Sequence, residues 1–132
     1  MKRKIKSPTW FRKRCVQWAK DEAKTKAGYV CEHCGASKAQ GYQMHGSHIL
    51  AEGSHPIMSD RPENILCLCA KCHVGGMWDN SKNPSWHDDP MYFAGWFNNK
   101  WPNRYKELLE QEKELCTHVV NWPKRWEEIK EV

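Results

Sequence analysis

Two periods of apolar residues alternate along this chain. Phe11, Cys15, Trp18 and Ala19 fall at i, i+4, i+7 and i+8, the spacing of one buried helical face. They predict a basic helix over residues 9–28, with Thr9 as N-cap, a last turn near Ala27 and Gly28 as its stop. Its opposite face carries Arg12, Lys13, Lys20 and Lys24. Tyr29–Gly35 follows as a tight knuckle. Tyr42–Leu50 and Asn64–Leu68 read as two strands, joined by the polar, Pro- and Gly-containing loop Ala51–Glu63. A short helix should begin near Ala70, with Gly75 and Gly76 limiting it, and residues 77–87 read as an irregular loop anchored by Trp78 and Trp86. The helical period then returns. Asp88 or Asp89 can cap a helix with Pro90 in its first turn and Phe93, Trp96 and Phe97 along it. Pro102 opens another, with a stripe of Tyr105, Leu108, Leu109, Glu112, Leu115 and Cys116. Asn121 caps a last short helix with Pro123 near its start and Trp126 facing inward. The fold class is α+β, with helices at both ends and the strands between them.

A length of 132 residues suits one domain with a moderate core. Within 1–132 the expected parts are a flexible basic arm (1–8), the basic helix (9–28), a metal-stapled core (29–76) and a Trp-rich helical cap (77–132). The eight tryptophans are read mostly as packing residues.

Charge adds a partner to this picture. Residues 1–26 hold ten basic side chains against Asp21 and Glu22, a net +8 in a chain whose total is +5. A basic arm and helix on a slightly acidic body suit a phosphate backbone, with Lys2, Arg3, Lys4, Lys6, Arg12, Lys13, Lys20 and Lys24 as the candidate nucleic-acid contacts. The start MKRKIKSPTW has no apolar run, so neither a signal peptide nor a membrane partner is expected.

The cysteines narrow the chemistry. Seven is an odd count, and four of them form two Cys-x-x-Cys pairs, Cys31/Cys34 and Cys69/Cys72. Such pairs in a chain without a secretory signal point to metal thiolates rather than disulfides, because one tight turn brings both sulfurs to one ion. In a plain zinc ribbon the pairs lie roughly 15–20 residues apart. Here residues 35–68 intervene, so a structural Zn²⁺ would staple the two ends of an inserted hairpin. Cys67 competes with Cys69 as ligand, but only Cys69 has the right spacing to Cys72. Cys15, Cys67 and Cys116 are then read as small buried apolar residues.

Between and beside the pairs lie His48 in MHGSHIL and Asn64 and His73 in NILCLCAKCH. The order Cys31-x-x-Cys34, His48, Asn64, Cys69-x-x-Cys72-His73 resembles the HNH endonuclease family in its zinc-stapled form with a ββα-metal core. The likeness covers roughly residues 29–75, and the part downstream is loosely reminiscent of phage recombination nucleases, which would place the chain in the cytoplasm of a host cell. The resemblance implies a DNA endonuclease in which His48 is the general base, Asn64 holds the His48 region in orientation and His73 binds a catalytic divalent ion. Imidazole, whose ordinary pKa lies near neutrality, suits the first role. One position departs from the pattern. The residue before the base, ordinarily Asp, Glu or His and the second metal ligand, is Ser47. Three replacements are open: His45, if a bulge at Gly46 brings it to the side of His48; Glu52, His55 or Asp60 from the loop; or His73 alone with water and substrate. The ion itself is open among Mg²⁺, Mn²⁺, Ni²⁺ and Zn²⁺. The competing reading is a catalytically inactive zinc-dependent nucleic-acid-binding module.

Overall fold

A computed structural model describes residues 5–75, 85–115 and 119–131. Lys2, Arg3, Lys4, Trp78 and Cys116 lie outside the described residues. The architecture is mixed α+β: helix α1 (Pro8–Lys26), an antiparallel pair β1 (Met44–His48) and β2 (Ile65–Cys69), then α2 (Ala70–His73), α3 (Pro90–Lys100), α4 (Arg104–Leu115) and α5 (Trp122–Lys130). No helix among the described residues is long and apolar enough to cross a membrane.

Helix α1 begins earlier than the apolar spacing suggests. Ser7, not Thr9, is the N-cap, accepting a hydrogen bond from the Trp10 amide, and Pro8 takes the first helical position, where its missing N–H costs nothing. Residues 7 and 8 therefore belong to the helix rather than to a basic arm. The helix buries a wider face than one stripe. Cys15 packs with Trp122 and Ile129 of α5, while Ala19 and Ala23 pack on Ile65 of β2.

The first strand is shorter than expected, since Tyr42 is exposed and the ladder runs only from Met44 to His48, while the second keeps its length one residue later, Ile65–Cys69. Its register is continuous, with His45 opposite Leu68, Gly46 opposite Cys67, Ser47 opposite Leu66 and His48 opposite Ile65. There is no bulge at Gly46. The glycine has another reason: α1 crosses β1 there, and a Cβ on Gly46 would lie 2.6 Å from Cγ and 2.8 Å from Cβ of Lys20. All five residues of β2 are buried. One side meets α1. The other residues enter the main core of Met44, Leu66, Leu68, Phe93 and Phe97, closed by Trp86, Trp96 and Trp101.

The downstream helices are part of this core. Asp89 caps α3 by accepting from the Tyr92 amide, and Asn121 caps α5 by accepting from the Lys124 amide. Leu108 of α4 covers Leu50 and Met58 in the inter-strand loop. Helix α4 starts two residues beyond Pro102, and Tyr105 lies outside its buried stripe, about half exposed.

The α1–β1 crossing generates a prediction. Gly46→Ala forces Lys20, and with it the helix, away from the strand, because the clash includes a Cβ atom that cannot swing aside. We expect a loss of about 1–3 kcal/mol, the usual cost of overpacking, read as a lower urea midpoint. An unchanged midpoint would mean the crossing is loose.

Candidate functional site

The knuckle and the β2–α2 corner bring four sulfurs together. The ligand atoms of Cys31, Cys34, Cys69 and Cys72 all lie within 4.8 Å of one another. Cys34 and Cys69 Sγ are 3.6 Å apart. Four sulfurs tetrahedral about one zinc, at about 2.3 Å each, would be about 3.8 Å apart. The donor set therefore fits, and this cluster can hold a structural metal ion such as zinc. A hydrogen bond between Cys31 and Cys72 draws the Cys31 thiol down to about 4 and drives Cys72 up, with burial adding to the rise. Four thiolates this close repel one another, and a divalent cation offsets that repulsion.

Cys67 is not in the cluster. It is fully buried one pleat from Cys69, and burial pushes its thiol up to about 11. Its backbone instead docks the knuckle onto β2: the Cys67 amide donates to Glu32 Oε2 at 2.8 Å and the Glu32 amide donates to the Cys67 carbonyl at 2.8 Å. Cys15 is likewise a buried apolar residue, its thiol raised to about 11 chiefly by burial.

Sequence reasoning passed over His33, inside the first Cys-x-x-Cys. Its Nδ1 lies 3.3 Å from Cys72 Sγ, and its ring rests on Phe93 and Trp96 with centroids 4.5 and 4.8 Å away. Burial depresses its pKa, and with Cys72 as a metal thiolate the ring's Nδ1–H would donate to the sulfur and orient it. Its position between two ligands was the available signal.

The histidines gather beside this corner. His45 Nδ1 and His73 Nδ1 are 2.9 Å apart. That is a hydrogen-bond length between the two rings; two nitrogens bound at about 2.05 Å to one tetrahedral ion would be about 3.3 Å apart, so a small opening of the pair would admit one. Burial is the main cause lowering both pKa values. Lys24 and Lys20 add to it for His45, while His87, His45, Lys20 and His48 take His73 to about 4. Both rings are thus neutral at pH 7, the form that ligates metals. His45 reaches His73 without any bulge.

The loop alternatives to His45 are all committed elsewhere. Glu52 pairs with Arg12 at 3.3 Å, His55 with Glu112 at 2.7 Å and buried Asp60 with Arg125 at 2.6 Å. Ser47 is buried opposite Leu66.

His48 Nε2 lies 2.8 Å from the Ser59 carbonyl. A carbonyl only accepts, so Nε2 carries the proton and Nδ1 of the neutral ring is left with its lone pair. Asn64 does not touch this ring. Fully buried, it accepts from the Leu50 amide at 2.7 Å and donates to the Leu50 and Met58 carbonyls at 3.1 and 3.0 Å. It therefore holds the loop whose next residue, Ser59, holds His48: orientation at one remove.

Another histidine was missed altogether. His87 sits edge-on to His73, ring centroids 4.8 Å apart, in a region read from sequence only as a loop. Among the basic residues, Arg12 and Lys24 are ion-paired, with Glu52 and Asp21. Lys13 is exposed, and Lys6 and Arg14 stack on the Trp10 ring at 5.1 and 4.9 Å. Lys20 lies across Gly46, close enough for its charge to act on His45 and His73. No protein-family model, curated protein or solved structure matches the chain.

Two predictions follow from this geometry. Cys31→Ala should lose a tightly held zinc equivalent and protease resistance over the knuckle, whereas Cys67→Ala should keep the zinc; equal zinc content in both would contradict the four-sulfur assignment. Asn64→Ala strips partners from three buried backbone groups and should cost at least about 2 kcal/mol, measured by urea unfolding.

Proposed function

We propose that this chain is a metal-dependent HNH-type endonuclease that hydrolyses DNA phosphodiester bonds. One observation carries the reading: the His45–His73 nitrogen pair, 2.9 Å apart, is joined by a His48 whose ring is held by a backbone carbonyl and whose charge acts on His73. A pair suited to hold an ion and a histidine suited to take a proton are the two parts such a reaction needs.

A divalent ion held by His45 and His73 would supply positive charge to the scissile phosphate and to the oxygen that leaves. The residues of the chain do the rest. His48 Nδ1 takes a proton from the attacking water as its oxygen bonds to phosphorus. The P–O3′ bond breaks, and the departing 3′ oxygen is protonated from solvent. The Ser59 carbonyl keeps Nε2–H in place, and Asn64 keeps Ser59 where it is. Lys20 adds a fixed positive charge beside the pair, suited to a phosphate approaching across α1. Lys13 and the Lys6–Trp10–Arg14 stack extend the basic surface along the same helix, which supports backbone affinity that weakens with salt.

Supercoiled plasmid incubated with the protein and Mg²⁺, Mn²⁺, Ni²⁺ or Zn²⁺ tests this. We expect nicked or linear product with at least one ion, and a loss of about 10²–10⁴ in rate for His48→Ala, the range of a general base. If the wild type cuts nothing with any of these ions yet binds DNA, the chain is a zinc-dependent nucleic-acid-binding module. Equal cutting by His48→Ala would remove His48 from the mechanism.

A further inference from the structure

The ion-holding pair has a neighbour that no sequence pattern assigns to it. His87 is carried by a short segment running along the end of α2. The Trp86 amide donates to the Cys72 carbonyl at 2.7 Å and the His87 amide to the His73 carbonyl at 3.1 Å. Both flanks of this segment are locked. Ser85 is buried, its Oγ accepting from the Asp88 amide and its carbonyl from the Asp89 amide. Trp86 rests on Phe93, ring centroids 5.5 Å apart. His87 itself is exposed, so its backbone is fixed while its ring is free to turn.

We propose that His87 is a third ligand, and that His45, His73 and His87 together bind one transition-metal ion of the Zn²⁺, Co²⁺ or Ni²⁺ class. This deepens the preceding reading, on which it rests for the ion at His45 and His73. The His73 ring stands in the middle, 5.1 Å from His45 and 4.8 Å from His87, with both neighbours edge-on at 86° and 74°. Among the described residues only the four cysteines already have all their ligand atoms within 4.8 Å. For the histidine set to close, the exposed His87 side chain has to turn toward the His45–His73 pair about its own two bonds.

The donor chemistry sets the class of ion. Three neutral imidazoles suit the borderline transition metals, whereas Mg²⁺ requires oxygen ligands in near-octahedral array. Two carboxylates of the inter-strand loop that could have supplied oxygen are engaged, Glu52 with Arg12 and Asp60 with Arg125. Three protein ligands also leave a coordination position open, as sites that do chemistry require. With His45 standing in for the ligand missing at Ser47, His87 adds a third nitrogen rather than an oxygen and makes the site selective.

The test uses full-length protein carrying one equivalent of zinc, titrated with Co²⁺ in the absence of DNA. Calorimetry should give one further site. The visible spectrum should lack thiolate-to-cobalt charge transfer, which separates this site from the four cysteines. Proton NMR should show three hyperfine-shifted imidazole N–H signals. His87→Ala should show two and bind at least about tenfold more weakly, and Mg²⁺ should not compete. The exposed His87 side chain leaves the fold intact when removed, and the three-signal count in the wild type needs no variant. Two signals in the wild type, unchanged affinity in His87→Ala, absence of a second cobalt site, or Mg²⁺ binding as tightly as Co²⁺ each overturn the proposal. The nuclease reading stands or falls separately. Cutting with Mg²⁺ that ignores His87→Ala keeps the enzyme and rejects the third ligand. Three-histidine cobalt binding without cutting does the reverse.

Discussion

Everything near the histidines depends on closing four sulfurs across the β2–α2 corner. Two five-residue strands make a ribbon that is marginal by itself. Ordering the long insertion between the cysteine pairs carries a loop-closure cost that the strands alone hardly offset. A metal held by Cys31, Cys34, Cys69 and Cys72 ties both ends of that insertion and contributes its binding energy to folding. Cys69 ends β2 in an extended conformation and Cys72 lies a turn into α2, so the cluster fixes the angle between them. His73 is the next residue. The segment bearing His87 hangs from the carbonyls of Cys72 and His73, and His45 is placed by its pairing with Leu68. The four-sulfur cluster and the histidines of the proposed site thus share a single corner, and a change in the first would be felt in the second.

Burial of β2 on both faces is the second organising feature. Ile65 meets Ala19 and Ala23 of α1, while Leu66 and Leu68 meet Phe93 and Phe97 of α3. A strand covered on both sides needs no alternation, which is why ILCLC is apolar throughout. β1 is different: two of its half-buried positions carry histidines and its crossing position has no side chain. Gly46 lets α1 approach closely, and the residue that comes closest, Lys20, brings a cation near the His45–His73 pair. The helix that packs the sheet therefore also charges the site.

Local chemistry was legible in the sequence; convergence in space was not. Asn121 and the Asp88–Asp89 pair mark their helix starts because short polar side chains before an apolar period have one common use. Two Cys-x-x-Cys pairs carry their partnership in their spacing. Thr9 misled because Ser7-Pro8 is the better start, with a cap and then a residue pre-set for the first turn. His33 and His87 were missed for a different reason. Beyond the two cysteines flanking His33, nothing nearby in sequence hints at a partner, and the contacts that define them, to Cys72 and to His73, span 39 and 14 positions of chain. Asn64 lies between these cases. Its importance is evident in the sequence, but its work on Leu50 and Met58 rather than on His48 emerges only once the loop is folded over it.

Strand parity explains how the proposed site dispenses with the ligand missing at Ser47. Side chains alternate along a strand, so positions 45 and 47 share one face and 46 and 48 share the other. In the pattern that this segment resembles, ligand and base are adjacent and so already leave opposite faces of the strand. Moving the ligand from 47 to 45 preserves that relation without any bulge, and the continuous register bears this out. The move shifts the ligand by about 6.6 Å along β1, away from Ile65 and toward Leu68, the end of β2 from which α2 and His73 depart. Such a shift would strand the ligand if the second histidine stayed where an adjacent ligand needs it. Instead His73 Nδ1 meets His45 Nδ1 at 2.9 Å. Ser47 is then released to become a buried core residue opposite Leu66, a position where a carboxylate would be costly. On this reading the serine is the consequence of a relocated ligand rather than the scar of a lost one.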